Sequence, residues 1–225
     1  MSGRLLYQYS LCPFCRKVRM VLFEKGLEYE TVLEKPWLRR AGFLALNPAG
    51  EVPVLVEESV HKVLSGRSAI CEFLDEIKAI PSLFGEDPYA RAEVRRLVDW
   101  FDVKFFNEVH QYIMGEIVYK RLAGRGEPDS RVIRAGRTNL VGHLKYISWL
   151  LERRNFLAGR SISLADFSAA AQLSVLDYIG EIPWEKYPEV KGWYATIKSR
   201  PSFQPILKER ILEISPPSYY DDLDF

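Results

Sequence analysis

Apolar positions along this chain recur with two periods. Leu5, Leu6, Tyr7, Gln8 and Tyr9 form a β-prone run, after which Val18, Val21 and Leu22 return at helical spacing until Gly26, a stop signal. Tyr29-Glu30-Thr31-Val32-Leu33 then alternates as a second strand, and Trp37 to Leu46 reads as a short, irregular helix. Val52-Pro53-Val54-Leu55-Val56 is an apolar strand, and His61 to Leu64 a short edge strand after the Glu57-Glu58-Ser59 turn. From Ser68 to Ile77 the period is helical again, carried by Ile70, Phe73, Leu74 and Ile77. Strand–helix–strand followed by a hairpin and a helix predicts an α/β domain over residues 1–80.

Pro81 and Gly85-Glu86-Asp87-Pro88 punctuate residues 81–87 as a linker, and everything beyond it is patterned as helix. Tyr89 to about Arg121 carries Leu97, Trp100, Phe101, Phe105 and Val109 on one side. The Gly124–Pro128 stretch is a loop, and further helices are expected over Ser130–Arg154, Ser161–Leu176 and Glu189–Ser199. The expected divisions are thus an all-helical domain over residues 88–213 and an extended acidic tail over 214–225.

Composition narrows the function classes. A chain of 225 residues with 48% apolar content supplies enough material for packed cores. Its 31 basic and 30 acidic residues leave a net charge of +1, which is no footprint for nucleic acid; the Arg39-Arg40, Arg95-Arg96 and Arg153-Arg154 pairs are read as solvated faces. No stretch approaches the roughly 18 apolar residues of a membrane span, and three cysteines do not build a disulfide framework. The expectation is a soluble, cytoplasmic protein with no nucleic-acid or membrane partner.

Candidate chemistry concentrates in Cys12-Pro13-Phe14-Cys15, where the first strand turns into a helix. A cysteine at a helix N-terminus meets unpaired N–H groups and the positive end of the dipole, which favour thiolate over thiol. Cys12 could act as one half of a redox pair with Cys15 or as a lone nucleophile, and Ser10 could offer a hydroxyl to a bound thiolate. Inert readings also stand: Cys15 as a small packed residue, Ser10 as a loop serine or cap. Pro53, inside an apolar strand, costs a ladder hydrogen bond and needs a reason. His61, His110 and His143 lack metal-ligand spacing, so no metal is expected; Cys71 is a small core residue, and Tyr7 and Tyr9 are strand packing.

These segments resemble a known family. Asn47-Pro48-x-Gly50-x-Val52-Pro53-Val54-Leu55, the cysteine turn, and Ser68-Ala69-Ile70 with Phe73-Leu74 are similar to the thioredoxin-like N-terminal domain of cytosolic glutathione transferases. Ser163-Leu164-Ala165-Asp166-Phe167 resembles that family's capping box, and Tyr187-Pro188 and Ser199-Arg200-Pro201-Ser202-Phe203 its closing segments. The resemblance implies a thioredoxin-like domain followed by an all-α domain, a homodimer, a cis peptide before Pro53, and glutathione as cosubstrate. Its site residues would be Cys12 and Ser10 for catalysis, with Val52, Pro53, Arg67 and Ser68 against the tripeptide.

One departure weighs against that last implication. The family carries Glu-Ser before Ala69-Ile70 to hold the γ-glutamyl end of glutathione, and Gly66-Arg67 stands there instead. Losing a charge-assisted pair is worth roughly 1.5–3 kcal/mol, about ten- to a hundredfold in affinity. The acidic tail ending Asp222-Leu223-Asp224-Phe225, together with Trp37 and the cysteine turn, is similar to glutathione-transferase-like cell-division regulators of alphaproteobacteria, which bind the tubulin-like protein FtsZ. That resemblance implies a dimeric, FtsZ-binding regulator without ordinary glutathione binding and with no cofactor. Trp37, Glu116 on the first long helix and Asp224 are its expected contacts. The alternative is a glutathione-dependent transferase or thiol transferase using Cys12.

Overall fold

The computed structural model describes Gly3 to Leu223, and the chain divides into two compact units. The first runs to Ser82 and takes in Pro201–Glu209; the second comprises Leu83–Arg200 and the chain from Arg210 onward. The sequence boundary near residue 80 therefore gains a returning segment from the far end of the chain.

The first unit is a four-stranded mixed sheet in the order β2-β1-β3-β4, with β1 Arg4–Gln8, β2 Glu30–Leu33, β3 Val54–Glu57 and β4 Lys62–Ser65. β1 pairs in parallel with β2 and antiparallel with β3, which pairs antiparallel with β4. The register sets Leu6 opposite Leu55, and Leu55 opposite Leu64. α1, Pro13–Glu24, starts on a proline whose missing N–H costs nothing in a first turn, and it buries Cys15, Val18, Met20, Val21 and Leu22. It packs against α3, Arg67–Ile77.

Below those helices the fully buried Lys25 ammonium donates to Asp75 Oδ1 and to the carbonyls of Lys78 and Pro81. A buried cation is tolerated only when paired and hydrogen-bonded in this way. Two local expectations are corrected here. Residues 37–46 split into a 3-10 turn, Pro36–Leu38, and a separate short α2, Ala41–Leu46. Pro53 precedes β3 rather than interrupting it, so no ladder hydrogen bond is lost.

In the second unit, α4, Pro88–Asp99, is capped by Asp87, whose Oδ1 accepts from the N–H groups of Tyr89 and Ala90. The helix continues through wide π turns at Trp100–His110 and Gly115–Tyr119, with α5 (Gln111–Met114) between them and α6 (Lys120–Leu122) at the end. α7, Ser130–Leu151, crosses it at Gly136, where a Cβ would lie 2.7 Å from Tyr112 Cβ and 2.8 Å from Ile113 Cγ1. Only glycine allows that approach.

α8, Leu164–Tyr178, is buried along its whole length. Asp166 in its first turn holds four donors: Leu157 N–H and Trp193 Nε1–H on Oδ1, Ser163 N–H and Oγ–H on Oδ2. α9, Pro188–Lys198, packs on α7 and α8, while α10, Gln204–Leu207, belongs to the first unit and was not anticipated.

The acidic tail does not extend freely over its described part. Tyr220 is fully buried against Tyr178, with ring centroids 5.1 Å apart, and the buried Lys198 donates to the Asp222 carbonyl at 2.7 Å. The reason is composition: two tyrosines among the aspartates supply enough apolar surface to pack.

Candidate functional site

The turn between β1 and α1 places Cys12 at the N-cap of α1, with extended backbone (φ −86°, ψ 116°). Its thiol contacts the Val52 carbonyl, Sγ to O 3.8 Å, and the peptide bond from Val52 to Pro53 is cis. Burial pushes the Cys12 thiol up, but the Cys15 thiol, the N–H groups of Cys15 and Phe14 and the Arg67 guanidinium outweigh it, leaving its pKa lowered. Cys15 is pushed the other way, first by burial and then by donating to Cys12. The two thiols are therefore shifted in opposite directions, Cys12 down and Cys15 up, and neither is in a disulfide.

A cavity of about 380 Å³ opens beside this turn. The 47–53 segment lines it with Asn47, Ala49, Glu51, Val52 and Pro53, and the start of α3 lines it with Ser65, Gly66, Arg67, Ser68 and Ala69. Gly66 takes the N-cap of α3 at φ +93°, a conformation that a side chain would strain, and it makes no side-chain cap. Arg67 is steadied by Phe14, its guanidinium carbon 4.1 Å from the ring centroid. Arg39, which is not among the lining residues, ends the Pro36–Leu38 turn with left-handed backbone (φ 45°), and its guanidinium lies beside Gly50.

Of the expected residues, Val52, Pro53, Arg67 and Ser68 come together in this cavity, and Cys12 reaches it through Val52. Ser10 does not line it; its carbonyl accepts the Arg16 Nε–H at 2.8 Å. Trp37 is half-buried with its ring edge-on to Tyr9 at 5.0 Å, beside exposed Leu38, Arg39 and Arg40. Glu116, expected to be exposed, is tied down: it pairs with Lys120 at 2.8 Å and accepts the Asp129 N–H at 2.7 Å. Asp224 lies outside the described residues.

Glu51 also lines the cavity; sequence reasoning did not single it out, and no periodicity marks it. The histidines behave structurally where buried. His143 accepts from Trp100 Nε1–H at 3.1 Å and meets Glu108 at 3.0 Å, with its pKa lowered by burial. No group of side chains among the described residues could hold a metal, and no described helix is long and apolar enough to cross a membrane.

The start of α3 brings Gly66 and Arg67 to the cavity, and the carboxylate among its lining residues, Glu51, belongs to the opposite segment.

Comparison with known proteins follows the same outline. Residues 11–77 match the glutathione S-transferase N-terminal domain and residues 126–201 the C-terminal domain. FtsZ-localized protein A of Caulobacter vibrioides is 46% identical over 99% of this chain and 98% of that protein. The solved structure of FzlA from C. crescentus superposes with a TM-score of 0.96 at 46% identity, covering 99% of both chains. A glutathione S-transferase from Rhodospirillum rubrum gives 0.96 at 53% identity, over 99% of this chain and 100% of that one. The chain belongs to the glutathione S-transferase superfamily.

Proposed function

We propose that this chain is a dimeric protein-binding regulator that associates with FtsZ in the bacterial cytoplasm and does not depend on ordinary glutathione binding. The observation that carries the reading is the start of α3, where a glycine cap and a guanidinium stand in place of the family's Glu-Ser pair. Similarity to FtsZ-localized protein A, running nearly end to end, supports FtsZ as the partner. Trp37 with its exposed neighbours, the Glu116 region and the chain end at Asp224 are the proposed contacts; aromatic and arginine side chains suit a binding hot spot. The test is co-sedimentation with FtsZ polymers. The full chain is expected to pellet and a chain cut after Ser215 to stay in the supernatant. If neither pellets the partner is wrong; if both do, the tail's role is wrong. Light scattering should return twice the 26.0 kDa chain mass.

A second reading is favoured by the lowered pKa of Cys12. It is a thiol transferase in which Cys12 is the nucleophile, Ser10 assists and Val52-Pro53 clamps the tripeptide. It requires saturable glutathione binding and loss of activity in Cys12→Ala and Ser10→Ala.

A further inference from the structure

We infer that His143 is a proton-operated latch on Trp100: the neutral imidazole holds the indole against α7, and the imidazolium releases it. The inference concerns the second unit alone and requires neither FtsZ nor glutathione.

His143 lies on α7 with 3% of its surface exposed, and each ring nitrogen faces a different group. Trp100 Nε1–H donates to Nδ1 at 3.1 Å, and Nε2 meets Glu108 Oε2 at 3.0 Å. An indole nitrogen is a donor only, so Nδ1 must present its lone pair and the ring's one proton must sit on Nε2. Nε2–H then donates to Glu108, a carboxylate kept ionised by Lys104 first of all. A single protonation state satisfies both contacts. A second proton has to enter at Nδ1, where it meets the indole N–H with two donors and no acceptor between them.

The ring that yields is Trp100. His143 is enclosed, with Phe105 edge-on at 4.9 Å, whereas Trp100 is half-buried and can turn its N–H to water. Trp100 is also one end of an aromatic series. It lies 4.5 Å from Tyr146, and Tyr146 stacks at 6.1 Å on Trp149, which is 48% exposed. A proton taken up in the interior therefore loosens an aromatic face shared by α7 and the Trp100–His110 turns.

The surrounding charges set the direction. Burial outweighs Glu108 and holds the His143 pKa below its ordinary value of 6.5; Glu108 favours the imidazolium, and Lys104, paired with Glu108, opposes it. On α7 itself Tyr146 accepts from Arg96 of α4, which is paired with Glu93. α5 brings Tyr112, and the Gly115–Tyr119 turns bring Glu116, paired with Lys120. On α9, Lys191 pairs with Glu185, and Tyr194 and Lys198 with Asp177. With the folded value depressed, the unfolded chain takes the proton first, so the latch's contribution is complete above 6.5 and is lost as pH falls below it.

The test is a pH titration of the 15N-labelled full chain by NMR, from about pH 7.5 to about pH 4.5, across the range of a histidine. Trp100→Phe assigns the indole signal. The Trp100 N–H is expected to shift and to exchange faster with water at the midpoint of His143 itself, below 6.5. The indoles of Trp184 and Trp193, held by Asp177 and Asp166, should stay put. His143→Asn keeps an acceptor for the indole and takes no proton, so Trp100 should remain held throughout. Glu108→Gln removes the anion that favours the imidazolium and should lower the midpoint by about half a pH unit. Melting curves check that these variants fold, and the titration of the native chain requires none of them. An indole signal that ignores the titration of His143, one that still moves in the asparagine variant, or a His143 that stays neutral until the chain unfolds overturns the inference.

Discussion

Replacing Asp166 by alanine should be among the most damaging single changes in the second unit. The carboxylate accepts Leu157 N–H at 2.9 Å, Trp193 Nε1–H at 3.0 Å, and both the N–H and Oγ–H of Ser163 at 2.9 Å. Burial pushes its pKa up, so these donors are what make the ionised form tolerable. Alanine strips all four at once. The Ser163 hydroxyl can rotate to a new acceptor, but the three N–H groups are fixed, and each buried donor left unpaired costs roughly 1–3 kcal/mol. Water entering the vacated space recovers part of this, which leaves a loss of about 3–5 kcal/mol. At this chain length that lowers Tm by about 6–20 °C. Differential scanning calorimetry and urea unfolding measure it, with Asp166→Asn as control: the amide keeps one acceptor oxygen and turns its NH2 toward two donors, so it should fall between. An alanine variant within about 1 kcal/mol of the native chain would refute the reasoning, because unpaired buried donors cannot be that cheap.

Other predictions concern the same unit. Glu93 is held at a pKa of about 2 by hydrogen bonds from Arg96 and Arg154, which outweigh burial. Its contribution is therefore complete above the ordinary value of 4.5 and is lost as pH falls toward about 2, and Glu93→Gln should flatten the acid limb of stability by about 1 kcal/mol after solvent screening. Gly136→Ala forces a Cβ to 2.7 Å from Tyr112 Cβ and should cost about 1–3 kcal/mol in urea unfolding; a neutral result would mean the helices separate freely. Lys198→Met removes the donor to the Asp222 carbonyl and the cation 5.7 Å from the Tyr220 ring, so amide exchange should quicken over residues 214–222 while α8 stays protected. Unchanged exchange there would show that Tyr220 packing alone holds the segment.

Much of the fold is legible in the chain because its periods are clean. Val18, Val21 and Leu22 announce α1, and Ser163 with Asp166 announces the start of α8 three residues ahead of its first turn's close. Legibility fails where tertiary contacts overrule local pattern. Pro36 and a left-handed Arg39 break residues 37–46 into a turn and a helix, and α10 is too short to carry a period. The acidic tail reads as solvated by its charge, yet Tyr220 finds Tyr178 and Lys198, neither of which is near it in sequence.

The candidate site divides in the same way. Cys12, Val52, Pro53, Arg67 and Ser68 are visible through motif and register, whereas the contact of Phe14 with Arg67 is known only from geometry. Glu116 reads from sequence only as a charged residue on a helix face; its pairing with Lys120 and the Asp129 N–H is known only from geometry.

Whether the cavity beside Cys12 accepts glutathione separates a protein-binding regulator from a thiol transferase. Titrating glutathione into the full chain by calorimetry, at concentrations up to the millimolar range, measures that without reference to any partner. With Gly66 and Arg67 at the start of α3, no saturable heat is expected; a saturating isotherm in the micromolar to low-millimolar range would contradict the account and favour Cys12 as a transferase nucleophile.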